Sequence, residues 1–209
     1  MNIKILRMTE DSLGLISTAY RLCYNSTPKD KKEEMKFIAA CIKNGHESPL
    51  EHCSVTFLVD EISRTCSHQI VRHRIASYTQ ESQRYVSALQ NGYIIPFEIA
   101  KVSKYRKAYQ DFMRQSTRFY QELVAQGFKK EDARFILPQG IGTRLLVTMN
   151  MRELRHFLDL RVDRKAQWEI RGVALDVLLG ILKREPNLFC VFGDIVIKYK
   201  LETKIFLDK

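Results

Sequence analysis

The residues best suited to binding chemistry lie in one short segment, Arg72 to Tyr85. Its basic residues are Arg72, His73, Arg74 and Arg84, and the polar residues among them are Ser77, Thr79, Gln80, Ser82 and Gln83, opposed only by Glu81. Guanidinium groups pair bidentately with phosphate or carboxylate, and hydroxyls and amides add further donors and acceptors. The segment therefore predicts a pocket for a phosphorylated ligand, although its composition is equally compatible with a solvated basic loop.

The histidines give no pattern typical of a metal site. They are His46, His52, His68, His73 and His156, and none forms an HExxH spacing. No CxxC pair completes a zinc site, so we predict no metal. His73 differs from the others because Arg72 and Arg74 flank it and disfavour its charged form. A neutral imidazole there would suit hydrogen bonding to a cofactor ring or a phosphate.

Motifs for a nucleophilic serine or for glycine-rich phosphate binding are missing. Ser82 has neither a nucleophile elbow nor an SxxK context, so we expect it to bind a ligand phosphate. The sequence also contains no GxGxxG and no GxxxxGK[ST]. Any dinucleotide must then be held by arginines and other side chains.

Four blocks of the chain, taken in order, resemble those of the flavin-dependent thymidylate synthases. Arg-His-Arg, seven residues, Ser82 and then Arg84-Tyr85 are similar to that family's signature. The other blocks are GHESPLEH at Gly45–His52, ARFILP at Ala133–Pro138, and the run from Asn150 through Arg161 to AQWE at Ala166–Glu169. Because they follow the family's order and approximate spacing, residues 1–209 are expected to form a single domain of this kind.

The resemblance implies two phosphate-bearing ligands, FAD and dUMP. The positions that match the family's FAD contacts are Ser48, Arg72, His73, Arg74, Gln80, Asn150, Arg152 and His156. Those that match its dUMP contacts are Gln69, Arg72, Gln80, Glu81, Ser82, Gln83, Arg84, Arg134 and Arg161. Two such ligands in one cleft would account for the number of arginines.

The reaction that the resemblance implies is reductive methylation of dUMP to dTMP. Methylenetetrahydrofolate would supply the carbon, and FAD reduced by NADPH would supply the hydride. Carbon 5 of uracil is a poor nucleophile unless negative charge develops on the pyrimidine, and a fixed guanidinium beside the ring stabilises that charge. The family's arginine with this role matches Arg161. The resemblance also implies a homotetramer whose active sites form at subunit interfaces.

Three places depart from the residues that are common in the family. Thr79-Gln80 stands where Asn-Glu is frequent, which leaves open whether the usual carboxylate contact is lost at Gln80 or shifted to Glu81. His156 replaces a frequent asparagine, and Lys165 replaces a frequent histidine.

Periodicity and caps predict the elements around the signature. Alternation over Cys53–Val59 predicts a half-buried strand, and Asp60 is predicted to begin a helix that aligns Gln69 with His73. The segment from Arg72 to Ser82 would then be a loop leaving that helix.

Further along, residues 100–126 are predicted to form a long helix with an aromatic stripe typical of a core or subunit interface. Asn150 is predicted to cap a helix with Arg152 and His156 on one face and Arg161 at its end. The result is an α+β fold of long helices on a modest, mostly antiparallel sheet, assembled as a homo-oligomer.

Composition limits the alternatives. The net charge of +10 suggests nucleic acid, but the basic residues form no single stripe with interleaved aromatics, which favours small anions. No apolar run approaches the roughly 20 residues of a membrane span, and five scattered cysteines indicate a reduced, cytoplasmic protein. Two alternatives stay open: a basic nucleic-acid-binding protein, and a nucleotide- and flavin-binding homologue without catalysis.

Overall fold

The computed structural model describes residues 1–86 and 90–202, with the backbone alone of Tyr24. The strands are β1 (Asn2–Met8), β2 (Ser54–Ser63), β3 (Ala76–Gln80) and β4 (Gly142–Asn150). The helices are α1 (Ser12–Tyr24), α2 (Lys31–Lys43), α3 (Arg64–Ile70), α4 (Phe97–Lys101), α5 (Ser103–Ala125), α6 (Lys130–Ala133), α7 (Met151–Arg161), α8 (Trp168–Arg184) and α9 (Phe189–Lys198). The predicted α+β class is confirmed.

The four strands form one antiparallel sheet in the order β1-β2-β4-β3. Its register is marked by the hydroxyls of Thr56 on β2 and Thr148 on β4, which lie 2.9 Å apart. Along β2 the side chains of Val55, Phe57 and Val59 are buried while their neighbours are less so, which confirms the predicted half-buried strand. The alternation of apolar and polar residues in the sequence thus matches a strand that packs one face against the core.

The described residues fall into two compact units. The first unit comprises Met1–Asn2, Val59–Arg72 and the described part of Thr79–Leu145. The second unit comprises Ile3–Leu58, His73–Tyr78 and the described residues from Leu146 onward. The predicted single domain, 1–209, includes residues outside the described range, and it stays a prediction.

In the first unit, the long helix α5 packs against α6 and the 3-10 turn Arg134–Ile136. The buried residues of this contact are Tyr120 and Ala133, packed against Leu123, Val124, Ile136 and Leu137. The helix predicted over residues 100–126 is interrupted, because Val102 is extended between α4 and α5. The aromatic stripe of α5 is largely exposed in the single chain, with Tyr105 at 60%, Phe112 at 59% and Phe119 at 49%.

In the second unit, α7 packs on α8, on α9 and on the 3-10 turn Ser48–His52. The buried guanidinium of Arg155 on α7 ties these elements together, since it pairs with Glu47 at 3.3 Å and with Asp194 of α9 at 2.7 Å. Asn150 caps α7 as predicted, with its Oδ1 accepting from the backbone N–H of Glu153 at 2.8 Å.

Two predictions around the signature segment were wrong. Asp60 does not begin a helix: β2 continues to Ser63, with Glu61 at a positive φ of 56°, and the Ser63 hydroxyl then caps α3. Because α3 ends at Ile70, His73 lies beyond the helix that carries Gln69. The predicted loop also contains a strand, β3, which pairs with β4.

Among the described residues, we find no helix with both the length and the apolar character required to cross a membrane.

Candidate active site

The two units divide the predicted site residues between them. The first unit holds Gln69, Arg72, Gln80, Glu81, Ser82, Gln83, Arg84 and Arg134. The second holds Ser48, His73, Arg74, Asn150, Arg152, His156 and Arg161. The positions matched to dUMP are thus in the first unit except Arg161, and those matched to FAD are in the second except Arg72 and Gln80.

A cavity of about 330 Å³ lies within the first unit. Its lining residues include Arg64, His68, Gln83, Arg134, Phe135, Leu137 and Pro138. Arg64 begins α3, and Arg134 begins the 3-10 turn after α6, where its Nε donates to the Glu131 carbonyl at 3.2 Å. Two of the predicted dUMP positions, Gln83 and Arg134, are therefore brought to one cavity.

Arg64 gives this cavity an unusual electrostatic character. Burial lowers the pKa of its guanidinium, and the positive charge of Arg134 lowers it further, while Glu81 acts in the opposite direction. Its Nη1 is buried and has no hydrogen-bond partner among the described residues. Two guanidinium groups at one cavity, one with an unused donor, suit a phosphate.

Sequence reasoning missed Arg64 and His68 as lining residues of this cavity. They are four residues apart on α3 and therefore share a face of that helix. The spacing is a usable signal, but the predicted helix begins at Asp60, and its predicted inward positions are Ile62, Cys66, Gln69 and Ile70. The corrected start makes Arg64 the first helical residue.

Gln80 and Glu81 are both held by neighbours in the first unit. The Gln80 amide donates to the Ser67 hydroxyl at 2.9 Å and to the Thr143 hydroxyl at 3.2 Å. The Glu81 carboxylate accepts from Nε of Arg144 at 2.6 Å and from the Asn91 amide. The Glu81 charge is thus compensated by Arg144.

The other first-unit predictions are more exposed. Arg84 extends from the segment after β3 and pairs with Glu131, and Ser82 accepts a hydrogen bond from the Arg84 backbone N–H at 3.3 Å. Arg72 is exposed after α3, and Gln69 is half-buried within it. None of these four side chains lines the 330 Å³ cavity.

In the second unit, the His73 ring is the centre of a compact cluster. The side chain is buried, and its Nδ1 lies 3.1 Å from Oε1 of Glu153 while its Nε2 lies 3.1 Å from Nε of Arg161. The rings of Phe157 and His156 approach it edge-on, with centroids at 5.0 and 5.6 Å. Arg161, predicted as the catalytic residue, is thus joined to the signature histidine.

Burial lowers the pKa of His73 to about 4, with smaller contributions from Arg161 and His156. The prediction of a neutral imidazole is confirmed, but its stated cause was wrong. Arg72 and Arg74 are exposed, and the cation beside the ring is Arg161, 88 residues away in sequence.

A second cavity, of about 430 Å³, lies within the second unit. It is lined by Glu47, Glu51, Ile75, Asn150, Arg152, Glu153 and His156. Arg152 and His156, four residues apart on α7, both line it, which confirms the predicted shared helix face. Ser48 and Arg74, also matched to FAD, are exposed residues outside its lining.

Two carboxylates at this second cavity were missed. Arg152 pairs with Glu51 at 2.5 Å and lies 3.8 Å from Glu47. Both glutamates belong to the GHESPLEH block, which offered a signal in the form of two acids four residues apart. The cavity therefore combines an amide, a guanidinium, an imidazole and carboxylates, a set that suits a polar ligand with both donors and acceptors.

His73, Glu153 and His156 also meet the geometric conditions for a metal site, since their ligand atoms lie within 4.8 Å of one another. However, both ring nitrogens of His73 already face hydrogen-bonding groups, and one of these is the cationic Arg161. In the structure, His73 joins Glu153 and Arg161 in a hydrogen-bond network.

Comparisons with known proteins all point to one family. A family model described as "Thymidylate synthase complementing protein" matches residues 4–187. The chain is similar to the flavin-dependent thymidylate synthase of Geobacter sulfurreducens, 41% identical over 198 residues, covering 90% of this chain and 85% of that protein. It is 48% identical over 199 residues to the protein of the same name from Pyrococcus horikoshii, covering 88% and 81% of the two chains. The chain therefore belongs to the flavin-dependent thymidylate synthase family.

Proposed function

We propose that this protein catalyses the reductive methylation of dUMP to dTMP, with FAD as cofactor and methylenetetrahydrofolate and NADPH as co-substrates. Family membership supports the reaction, since the relatives are named flavin-dependent thymidylate synthases. The structural observation that carries the proposal is the cavity with Arg64 and Arg134, where a buried guanidinium nitrogen has no partner among the described residues.

The dUMP phosphate is proposed to bind at this first-unit cavity. A phosphate there would pair with the Arg64 guanidinium and would offset the repulsion between Arg64 and Arg134. Gln83 lines the same cavity and can donate through its amide. The other first-unit positions proposed for dUMP are Gln69, Arg72, Gln80, Glu81, Ser82 and Arg84.

FAD is proposed to bind at the second-unit cavity, which is lined by three of the residues matched to FAD. The side chains of Asn150, Arg152 and His156 supply donors for phosphate or ring oxygens, and Ile75 adds an apolar surface. Ser48, Arg72, His73, Arg74 and Gln80 are the further positions proposed for FAD. When bound, FAD supplies the hydride that it receives from NADPH.

Arg161 is proposed to be the catalytic residue. Its guanidinium keeps its proton at any working pH, so it can stabilise negative charge that develops on the pyrimidine of dUMP. The hydrogen bond from its Nε to His73 supports a fixed orientation for this group.

A single domain, a homotetrameric assembly and a cytoplasmic location are also proposed. The family match spans residues 4–187 and so includes most of both units, which supports one domain. Tyr105, Phe112 and Phe119 are exposed and spaced by seven residues on α5, which supports burial of that face by another subunit. The scattered cysteines support a reducing compartment.

The test is dTMP formation from dUMP, methylenetetrahydrofolate and NADPH, with and without added FAD. Turnover that requires all four compounds is the expected result. Binding of dUMP and FAD without dTMP release would instead support the catalytically inactive homologue. Steeply salt-dependent binding to a duplex, with no flavin bound, would support the nucleic-acid-binding alternative.

A further inference from the structure

We propose that Glu153 is a positioning residue for catalysis, acting through His73 to fix the guanidinium of Arg161. The three side chains form a chain in which Oε1 of Glu153 lies 3.1 Å from Nδ1 of His73 and Nε2 of His73 lies 3.1 Å from Nε of Arg161. The inference rests on the catalytic role proposed for Arg161. It adds a residue that belongs to neither predicted ligand set.

The hydrogen-bond roles in this chain follow from Arg161. A guanidinium Nε–H can only donate, so Nε2 of His73 must be the acceptor and carries no proton. In the neutral ring the proton then lies on Nδ1, which donates to the Glu153 carboxylate. Glu153 therefore selects the one neutral tautomer of His73 that can receive Arg161.

The surroundings hold the ring in this orientation. Glu153, His156 and Phe157 lie on one face of α7, and Arg161 follows two turns after Glu153 on the same face. Phe157 and His156 contact the ring edge-on, and the Tyr78 hydroxyl donates to the His73 carbonyl at 2.5 Å. The imidazole therefore has little freedom to turn. The position of its proton then decides whether Nε2 faces Arg161 as a hydrogen-bond acceptor or as a donor.

The opposite tautomer would disrupt this contact. With a proton on Nε2, His73 would present an N–H to the Nε–H of Arg161, and the guanidinium would have to turn away. Holding Nε fixes the plane of the guanidinium and hence the direction of its terminal nitrogens. Preorganised donors of this kind lower a barrier because they need not reorient during the reaction.

The position of Glu153 in the fold is consistent with a role of this kind. It is only 6% exposed, and burial raises the pKa of its carboxyl group. A buried carboxyl needs a hydrogen-bond partner, and His73 supplies one. A purely structural role for Glu153 would satisfy the same requirement, so the test must separate stability from the orientation of Arg161.

The experiment is a double-mutant cycle on the full chain, with dTMP formation as the readout. Glu153→Leu removes the acceptor and is expected to lower kcat about 10- to 30-fold, with FAD content retained. Glu153→Gln keeps an acceptor oxygen for Nδ1–H and is expected to stay within about threefold of the wild type. In the Arg161→Ala background, adding Glu153→Leu should lower kcat by a further factor of less than about two, because the guanidinium that Glu153 positions is gone.

Asp194→Asn is the matched control. Asp194 pairs with another arginine of α7, Arg155, and does not contact His73 in the described structure. It is expected to lower the melting temperature and to change kcat by the same factor in both backgrounds.

Two results would overturn the inference. If Glu153→Leu lowers kcat by equal factors with and without Arg161, Glu153 acts on stability alone and the positioning role is wrong, while the proposed reaction stands. If Arg161→Ala turns over like the wild type, the role of Arg161 fails and this inference fails with it.

Discussion

Nε of Arg84 lies 2.7 Å from Oε2 of Glu131. Arg84 belongs to the signature segment and is proposed to bind dUMP, whereas Glu131 lies in the first turn of α6. Both side chains are partly exposed. Ion pairs with this exposure contribute about 1 kcal/mol or less to the free energy of folding. A ligand phosphate that recruits Arg84 would have to compete with this carboxylate.

Replacing Glu131 by Gln should therefore strengthen dUMP binding. Loss of the competing charge releases the Arg84 guanidinium, and the dissociation constant is expected to fall about two- to fivefold. Calorimetric titration with dUMP measures this, with Glu122→Gln as a control that removes an exposed acid on α5. Weaker dUMP binding in Glu131→Gln would mean that Glu131 organises Arg84 for the ligand instead of opposing it.

Replacing Arg161 by Ala should reduce turnover while sparing the flavin. One lost electrostatic contact to the developing charge costs about 3 kcal/mol in the barrier, which is about a hundredfold in kcat. The FAD content, read from the flavin absorbance of the purified protein, should stay near that of the wild type. Arg164→Ala, an exposed arginine three residues later, is the control. Normal turnover of the Arg161 variant would exclude the proposed role.

His73 should make the stability of the fold depend on pH. Its folded-state pKa of about 4 lies below the ordinary value of 6.5, so the unfolded chain binds the proton more readily. This contribution is fully present above pH 6.5 and is lost as the pH falls through about 4, to a total of about 3 kcal/mol. Glu153, whose pKa is raised, partly offsets the loss as it becomes protonated.

The comparison that isolates His73 is thermal unfolding of the wild type and of His73→Gln between pH 4 and pH 7. The wild type should lose more stability on acidification than the variant, because glutamine does not titrate. Parallel curves for the two proteins would show that the ring is protonated as readily in the folded chain as in the unfolded one.

Local patterns predicted the parts of the second-unit site that depend on neighbours in sequence. Asn150 is a cap residue directly before an apolar-periodic run, so both the start of α7 and the shared face of Arg152 and His156 follow from spacing. The alternation in β2 and β4 likewise reports their burial. In these cases the residues that determine the local structure lie within about one helical turn or a few strand positions of one another.

The contacts of His73 could not be predicted in this way. Glu153 is 80 residues from it and Arg161 is 88, so no local pattern joins them. The sequence did indicate a neutral ring, but from the adjacent arginines, which are exposed in the folded chain. The end of β2 was also misplaced, because the strand continues through Glu61 at a positive φ, a conformation that no glycine signals in the sequence.

Replacing Arg64 by Met should move stability and binding in opposite directions. Methionine retains an apolar side chain but removes a half-buried charge, which Arg134 repels and whose Nη1 has no hydrogen-bond partner in the part of the chain that the structure describes. We expect the melting temperature without ligand to rise by about 2 to 4 °C.

The same variant should bind dUMP at least about tenfold more weakly, because a charge-assisted hydrogen bond to the phosphate is lost. Scanning calorimetry with and without dUMP measures both effects in one experiment. Arg114→Met, which removes an exposed α5 arginine paired with Asp111, should leave dUMP affinity unchanged. If Arg64→Met instead lowered the melting temperature and bound dUMP normally, Arg64 would be a structural arginine and the proposed phosphate site would lie elsewhere.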